Sequence, residues 1–164
     1  MHSDKYTEDD IKKAEQIALS CSLFYNQGRA VPWFNAVLKS LHIKPSTFFT
    51  EFAQYMNSEL KRTADLCLPH KDIEQIQLDF IRKKYTEKNI AAFIPAAEDI
   101  IKLNGAISRT QVDGTKETVR LHYDSDDVMS EYASDITYFV KNIKAHACSA
   151  QTFMTKDGAD WKKI

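Results

Sequence analysis

The residues of this chain best suited to do chemistry are cations set apart from acidic neighbours. Arg109, Lys116 and Arg120 flank Asp113-Gly114 within residues 104–123, and strand-forming residues lie on both sides of that dipeptide. Asp-Gly between such runs signals a two-residue hairpin turn. Counting outward pairs Val112 with Thr115, Thr110 with Glu117, Ser108 with Val119 and Ala106 with Leu121. Side chains alternate across a strand, so Ile107, Arg109, Gln111, Lys116, Thr118 and Arg120 share the other face. That face carries three cations and no acid, which suits phosphate oxygens; an ordinary solvated strand face would also account for it. Arg82, Lys83, Lys84 and Lys88 lie upstream and complete the candidate nucleic-acid contacts.

Other chemistry is thinly represented. Cys67 and His70 lie three apart around Pro69, a spacing that suits a helix end better than a nucleophile and its base. His146 and Cys148 are two apart and would point to different faces of a helix. Asp124, Asp126 and Asp127 could face a cation, but capping of a following helix explains them more simply. No HExxH, paired metal spacing or glycine-rich phosphate loop is present, so no catalytic residue, metal or cofactor is expected. A non-enzymatic chain is the expectation.

The elements that must position these residues read mostly as helices. Thr7 followed by Glu8, Asp9 and Asp10 opens a helix whose stripe is Ile11, Ala14, Ala18, Cys21 and Phe24–Tyr25, ending near Gly28. Pro32 opens a short helix over 33–41, and Pro45 a longer one over about 46–67 with Phe48, Phe49, Phe52, Tyr55, Met56 and Leu60 inward. Asp72 caps a fourth helix with the stripe Ile73, Ile76, Gln77, Phe80 and Ile81. A fifth stretch over 87–103 should kink at Pro95 and end at Asn104-Gly105. After the hairpin, Asp124 or Ser125 caps a last long helix carrying Val128, Tyr132, Ile136, Phe139 and Ile143, and residues 151–164 read as a frayed tail.

Two stretches resemble DNA-reading modules. Residues 35–52, NAVLKSLHIKPSTFFTEF, resemble a helix-turn-helix, with Ser46, Thr47, Thr50 and Glu51 open for reading and His42 where glycine usually makes the turn. Residues 73–123 have the element order of a winged helix, with the basic hairpin as its wing. The resemblance implies duplex binding through the wing. Yet the helix that would enter the groove begins Ala96-Ala97-Glu98-Asp99, and residues 71–124 carry nine cations against nine acids.

Composition sets the outer limits. With 164 residues the chain forms one domain, or subdomains over 1–69 and 70–150 sharing a core. Basic and acidic residues nearly balance, 22 against 23, so nucleic acid could be held only by a local patch. Three distant cysteines suit a reducing cytoplasm, and neither an export segment nor a membrane span is evident. The expected fold is therefore mainly α, about six helices with one antiparallel β-hairpin. The expected function is macromolecule binding by a winged-helix or helix-turn-helix regulator. The alternative is a protein–protein module (adaptor, inhibitor or assembly subunit) acting through an apolar helix face around Trp33 and Phe34, or through the acidic helix at Glu98–Asp99. Such an apolar face is also compatible with a homodimer.

Overall fold

The computed structural model describes residues 6–61 and 67–164. The third helix, expected to run to about residue 67, ends at Ser58, so Leu60, expected inward, lies past it and is exposed; residues 62–66 of the expected span lie outside the described residues. The chain is mainly helical, with a small antiparallel sheet. Its order is α1 (Glu8–Cys21), a π-helical turn (Ser22–Gln27), α2 (Phe34–Leu41), α3 (Pro45–Ser58) and α4 (His70–Glu87). A 3-10 turn (Ala91–Phe93) leads to α5 (Ile94–Asp113), then β1 (Thr118–Leu121), α6 (Ser125–Val128), a 3-10 turn (Glu131–Ser134), α7 (Ile136–Asn142), β2 (Cys148–Thr155) and β3 (Gly158–Lys163).

Local chemistry starts and stops most of these elements. Thr7 and Asp10 form a reciprocal capping box at α1, which satisfies two of the donors a helix start leaves open. Pro45 and Pro95 sit in the first turns of α3 and α5, where a missing N–H costs nothing. Pro95 thus opens α5 instead of kinking it. His42 takes the left-handed conformation, φ 53°, that ends α2 and turns the chain into α3.

The helices enclose an aromatic core. Phe24 meets Phe52 and Phe48 edge-on, with ring centroids 4.9 and 5.0 Å apart, and Phe80 packs against both of those rings. The α3 and α4 stripes read from the sequence supply this core: Phe48, Phe49, Phe52, Tyr55, Met56, Ile73, Ile76, Phe80 and Ile81 are all buried. Buried Tyr85 donates to the Val37 carbonyl and accepts from Ser40, tying α4 to α2.

The hairpin is not where the sequence placed it. Residues 104–113 continue α5, which runs through Asn104-Gly105 without a break. Asp113-Gly114 is the end of that helix, with Gly114 at φ 70° donating its N–H to the Thr110 carbonyl. The hairpin is β2–β3, turned at Lys156-Asp157, and β1 joins it from 27 residues before β2 begins, giving the order β1-β2-β3. Residues 151–164 therefore carry strand structure, not a frayed end. The long last helix is likewise broken into α6, a 3-10 turn and α7, and Tyr132 lies exposed against Tyr138.

Leu121, Ala150 and Thr152 are buried on one face of the sheet, and α5 makes contacts with all three strands. Thr110 Oγ1 and Thr152 Oγ1 share a hydrogen bond of 2.6 Å at that contact. The exposed edge of β3 is blunted by side chains: Gln111 accepts from the Ala159 N–H and Asp160 from the Trp161 N–H. Among the described residues no helix is long and apolar enough to cross a membrane.

Candidate functional site

With the wing dissolved, the seven predicted cations take three different fates. Arg109, on α5, is 7% exposed and faces inward. Its Nε and Nη2 reach the two carboxylate oxygens of Glu117 at 2.7 and 2.9 Å, and Nη1 reaches Glu74 at 2.7 Å. Nη1 also lies 2.9 Å from His70 Nδ1, while His70 Nε2 lies 3.2 Å from the Gly28 carbonyl. That pair of contacts fixes the tautomer: Nε2–H donates to the carbonyl and bare Nδ1 accepts from the guanidinium. Burial pushes His70 down to about 4, and the guanidinium of Arg109 works in the same direction. Glu117 is held below the usual carboxylate range by its Arg109 hydrogen bonds, whereas burial raises Glu74 despite the same partner.

This network joins α4, α5, the loop before β1 and the end of the π-helical turn. Gly105 admits it, because a Cβ there would lie 1.8 Å from Glu74 Oε2. Removing the guanidinium would strand the buried Glu74 carboxylate and the half-buried Glu117, at a cost of about 3–5 kcal/mol. Arg109 is thus a bracing residue of the fold, and its charge is already spent on carboxylates of its own chain.

Arg82, Lys83 and Lys84 are occupied in the same way. Arg82 pairs with Asp79 and Glu98, Lys83 with Glu59 and Glu87, and buried Lys84 with Glu51 and Glu87. They start eight residues along α4 from Glu74, about 12 Å of helix rise from the Arg109 network. One basic surface does not span both groups. Lys88, Lys116 and Arg120 are exposed and make no ion pair among the described residues.

The surfaces named for protein contact are also consumed. Trp33 and Phe34 are buried, Glu98 is held by Arg82 and Lys102, and Asp99 is fully buried. Asp99 accepts from the backbone N–H groups of His122 and Tyr123 and from His122 Nδ1. Burial raises its carboxyl above the ordinary range and these hydrogen bonds pull it back. His122 is half exposed, and Asp99 holds its ring by Nδ1. No described hydroxyl or thiol bonds its other nitrogen. Among the described residues no group of three His, Cys, Asp or Glu could hold a metal ion. The acid inside the apolar run AAEDII was a sequence signal for a buried partner, which the reading of Glu98–Asp99 as an open acidic face missed.

Two surfaces remain open. On the sheet, the face away from α5 carries the row Thr118–Gln151–Lys162, then Arg120 opposite Ser149 and Phe153 opposite Asp160. Lys162 Nζ stands 6.0 Å from the centre of the Phe153 ring. The second is α1, whose one buried residue is Ser20. Lys13, Gln16 and Ile17 turn toward Thr50, Ala53, Gln54 and Asn57 of α3, and Gln16 accepts from the Asn57 amide. Ile17 and Cys21 also pack against the hydrophobic core, so the side of α1 that faces the body of the protein mixes polar and apolar residues. Of the stripe read from the sequence, Cys21 packs inward, while Ile11, Ala14 and Ala18, which occupy about 60° of the helix circumference, face away and are exposed; exposed Leu19 lies further round, past Glu15.

The comparisons with known proteins add no relative: no family model matches the chain, and no curated protein or solved structure does either.

Proposed function

We propose that this protein is a non-enzymatic protein-binding module that docks its partner on the outward stripe of α1. The observation that carries the reading is the apolar strip that this helix leaves uncovered. An amphipathic helix normally turns its apolar side to the core. Here a helix of 14 residues packs Ile17 and Cys21 inward and leaves Ile11, Ala14, Ala18 and Leu19 outward, with Ile11 50% and Leu19 43% exposed. Exposed apolar surface grouped on one element is the ordinary mark of an interaction site. The test compares proteins retained by the intact chain with those retained by an Ile11→Ser/Leu19→Ser variant, followed by reconstitution from purified components. The expected result is a complex that forms with the intact chain and fails with the variant, at unchanged circular dichroism. Equal binding by both would overturn the reading.

A second reading, nucleic-acid contact, keeps one supporting observation: Arg120 and Lys162 lie on the open sheet face, and Lys116 is exposed just before β1. It requires retardation of a single- or double-stranded probe at low salt that Arg120→Glu/Lys162→Glu abolishes.

A further inference from the structure

The acids around the α1 stripe select among partners. Stepping around the helix, Asp10 borders the stripe on one side, and Glu15 and then Glu8 border it on the other. Lys12 lies further round, near Leu19, and Lys13 turns toward α3. Asp10 is held ionised by hydrogen bonds from Thr7. Tyr6, Asp10, Ile11, Ala14 and Glu15 line a shallow concavity whose floor is the small side chain of Ala14. The surface is thus an apolar strip with room for a large side chain and a negative rim on both sides.

Resting on the docking role of α1 proposed above, we infer that the occupant is a basic, apolar-faced helical segment of another protein. A second copy of this chain fits badly. Antiparallel pairing of two helices juxtaposes equivalent flanks, which would set Glu15 against Glu15 of the copy; parallel pairing would set the Asp10 flank against the Glu15 flank. Like charges meet in either arrangement, and the small strip offers little area to offset them. A helix with leucine or phenylalanine at positions three and four apart, flanked by lysine or arginine, meets both the strip and its rim.

The test is selection from a displayed library of helical peptides, with charge randomised around a fixed apolar stripe, against the intact chain. The expected outcome is enrichment of positively charged peptides whose binding weakens with salt and is lost in the Ile11→Ser variant. Glu8→Lys/Glu15→Lys should weaken the selected peptides on the order of tenfold at low salt and shift a repeat selection toward acidic ones. Neither glutamate makes a hydrogen bond or ion pair among the described residues, so the variant should fold; circular dichroism checks this. Enrichment of acidic or uncharged peptides that still need Ile11 would overturn the basic partner and leave the docking face standing. Enrichment indifferent to Ile11→Ser would overturn both. A dimer by light scattering that Ile11→Ser dissolves would make the occupant a second copy and overturn the inference.

Discussion

At the scale of single residues, the decisive chemistry is neutralisation inside the chain. Arg109 was the centre of the expected phosphate contact, and three of its N–H groups instead bond carboxylate oxygens. A planar fork suits carboxylate as well as phosphate, so residue type alone does not choose between them. His70 gives this network a pH signature. Its folded value of about 4 lies below the ordinary histidine value of 6.5. The unfolded chain therefore binds the proton more readily, and stability falls as pH drops from about 6.5 toward 4. Glu117, lowered by Arg109, adds its loss only below the ordinary carboxylate range, while Glu74 and Asp99, raised by burial, act in the opposite sense, so the histidine is isolated by comparing variants between pH 7 and 5. Denaturant unfolding across that span should show a falling midpoint. His70→Gln, which can donate to Gly28 and accept from Arg109 without titrating, should flatten it; an equal slope in both proteins would remove His70 from the account.

Among the elements, α5 organises the second half of the molecule, because its buried side carries both apolar residues and the partners of two charged clusters. Gly105 lies inside it, where propensity alone predicts that alanine would stabilise by about 1 kcal/mol. The closeness of Glu74 predicts the opposite sign. A methyl group there displaces the carboxylate from Arg109, and we expect Gly105→Ala to destabilise by about 1–3 kcal/mol in urea titration. A gain in stability would show that Glu74 moves aside freely. The same helix explains the misplaced hairpin. Its last turn ends in Asp-Gly with glycine left-handed, and that dipeptide serves a helix end as well as a strand turn. The chain contains a second Asp-Gly, at 157–158, and that one lies at the hairpin: Lys156-Asp157 make the turn and Gly158, at φ 126°, opens β3 opposite Thr155.

For the molecule as a whole, the sheet depends on its last segment. β2 is the central strand, so residues 148–164 hold β1 in place and cover α5. Deleting them should lower Tm by at least about 10 °C, since several kcal/mol of burial and pairing are lost. A truncated chain that melts like the intact one would mean that the segment is an appendage. Surface charge at this scale is well mixed, with carboxylates of α3, α4 and α5 closing on the α4 cations. A molecule with 22 basic and 23 acidic residues arranged in this way offers no broad field to a polyanion.

The sequence by itself determined what depends on neighbours a few residues away. Periodicity marked most of the buried stripes of α3 and α4, capping chemistry marked Thr7 and Asp124 as helix starts, and helical period together with an Asp-Gly signal indicated a mainly helical chain with a hairpin, though not the hairpin's place. Tertiary structure alone decided which strand pairs with β1, which carboxylate each cation meets, and which side of α1 faces outward. Those outcomes turn on contacts between residues far apart in the chain: Thr118 with Gln151, Arg109 with Glu74, Gln16 with Asn57. A local pattern carries the period of an element but not the identity of what it will pack against.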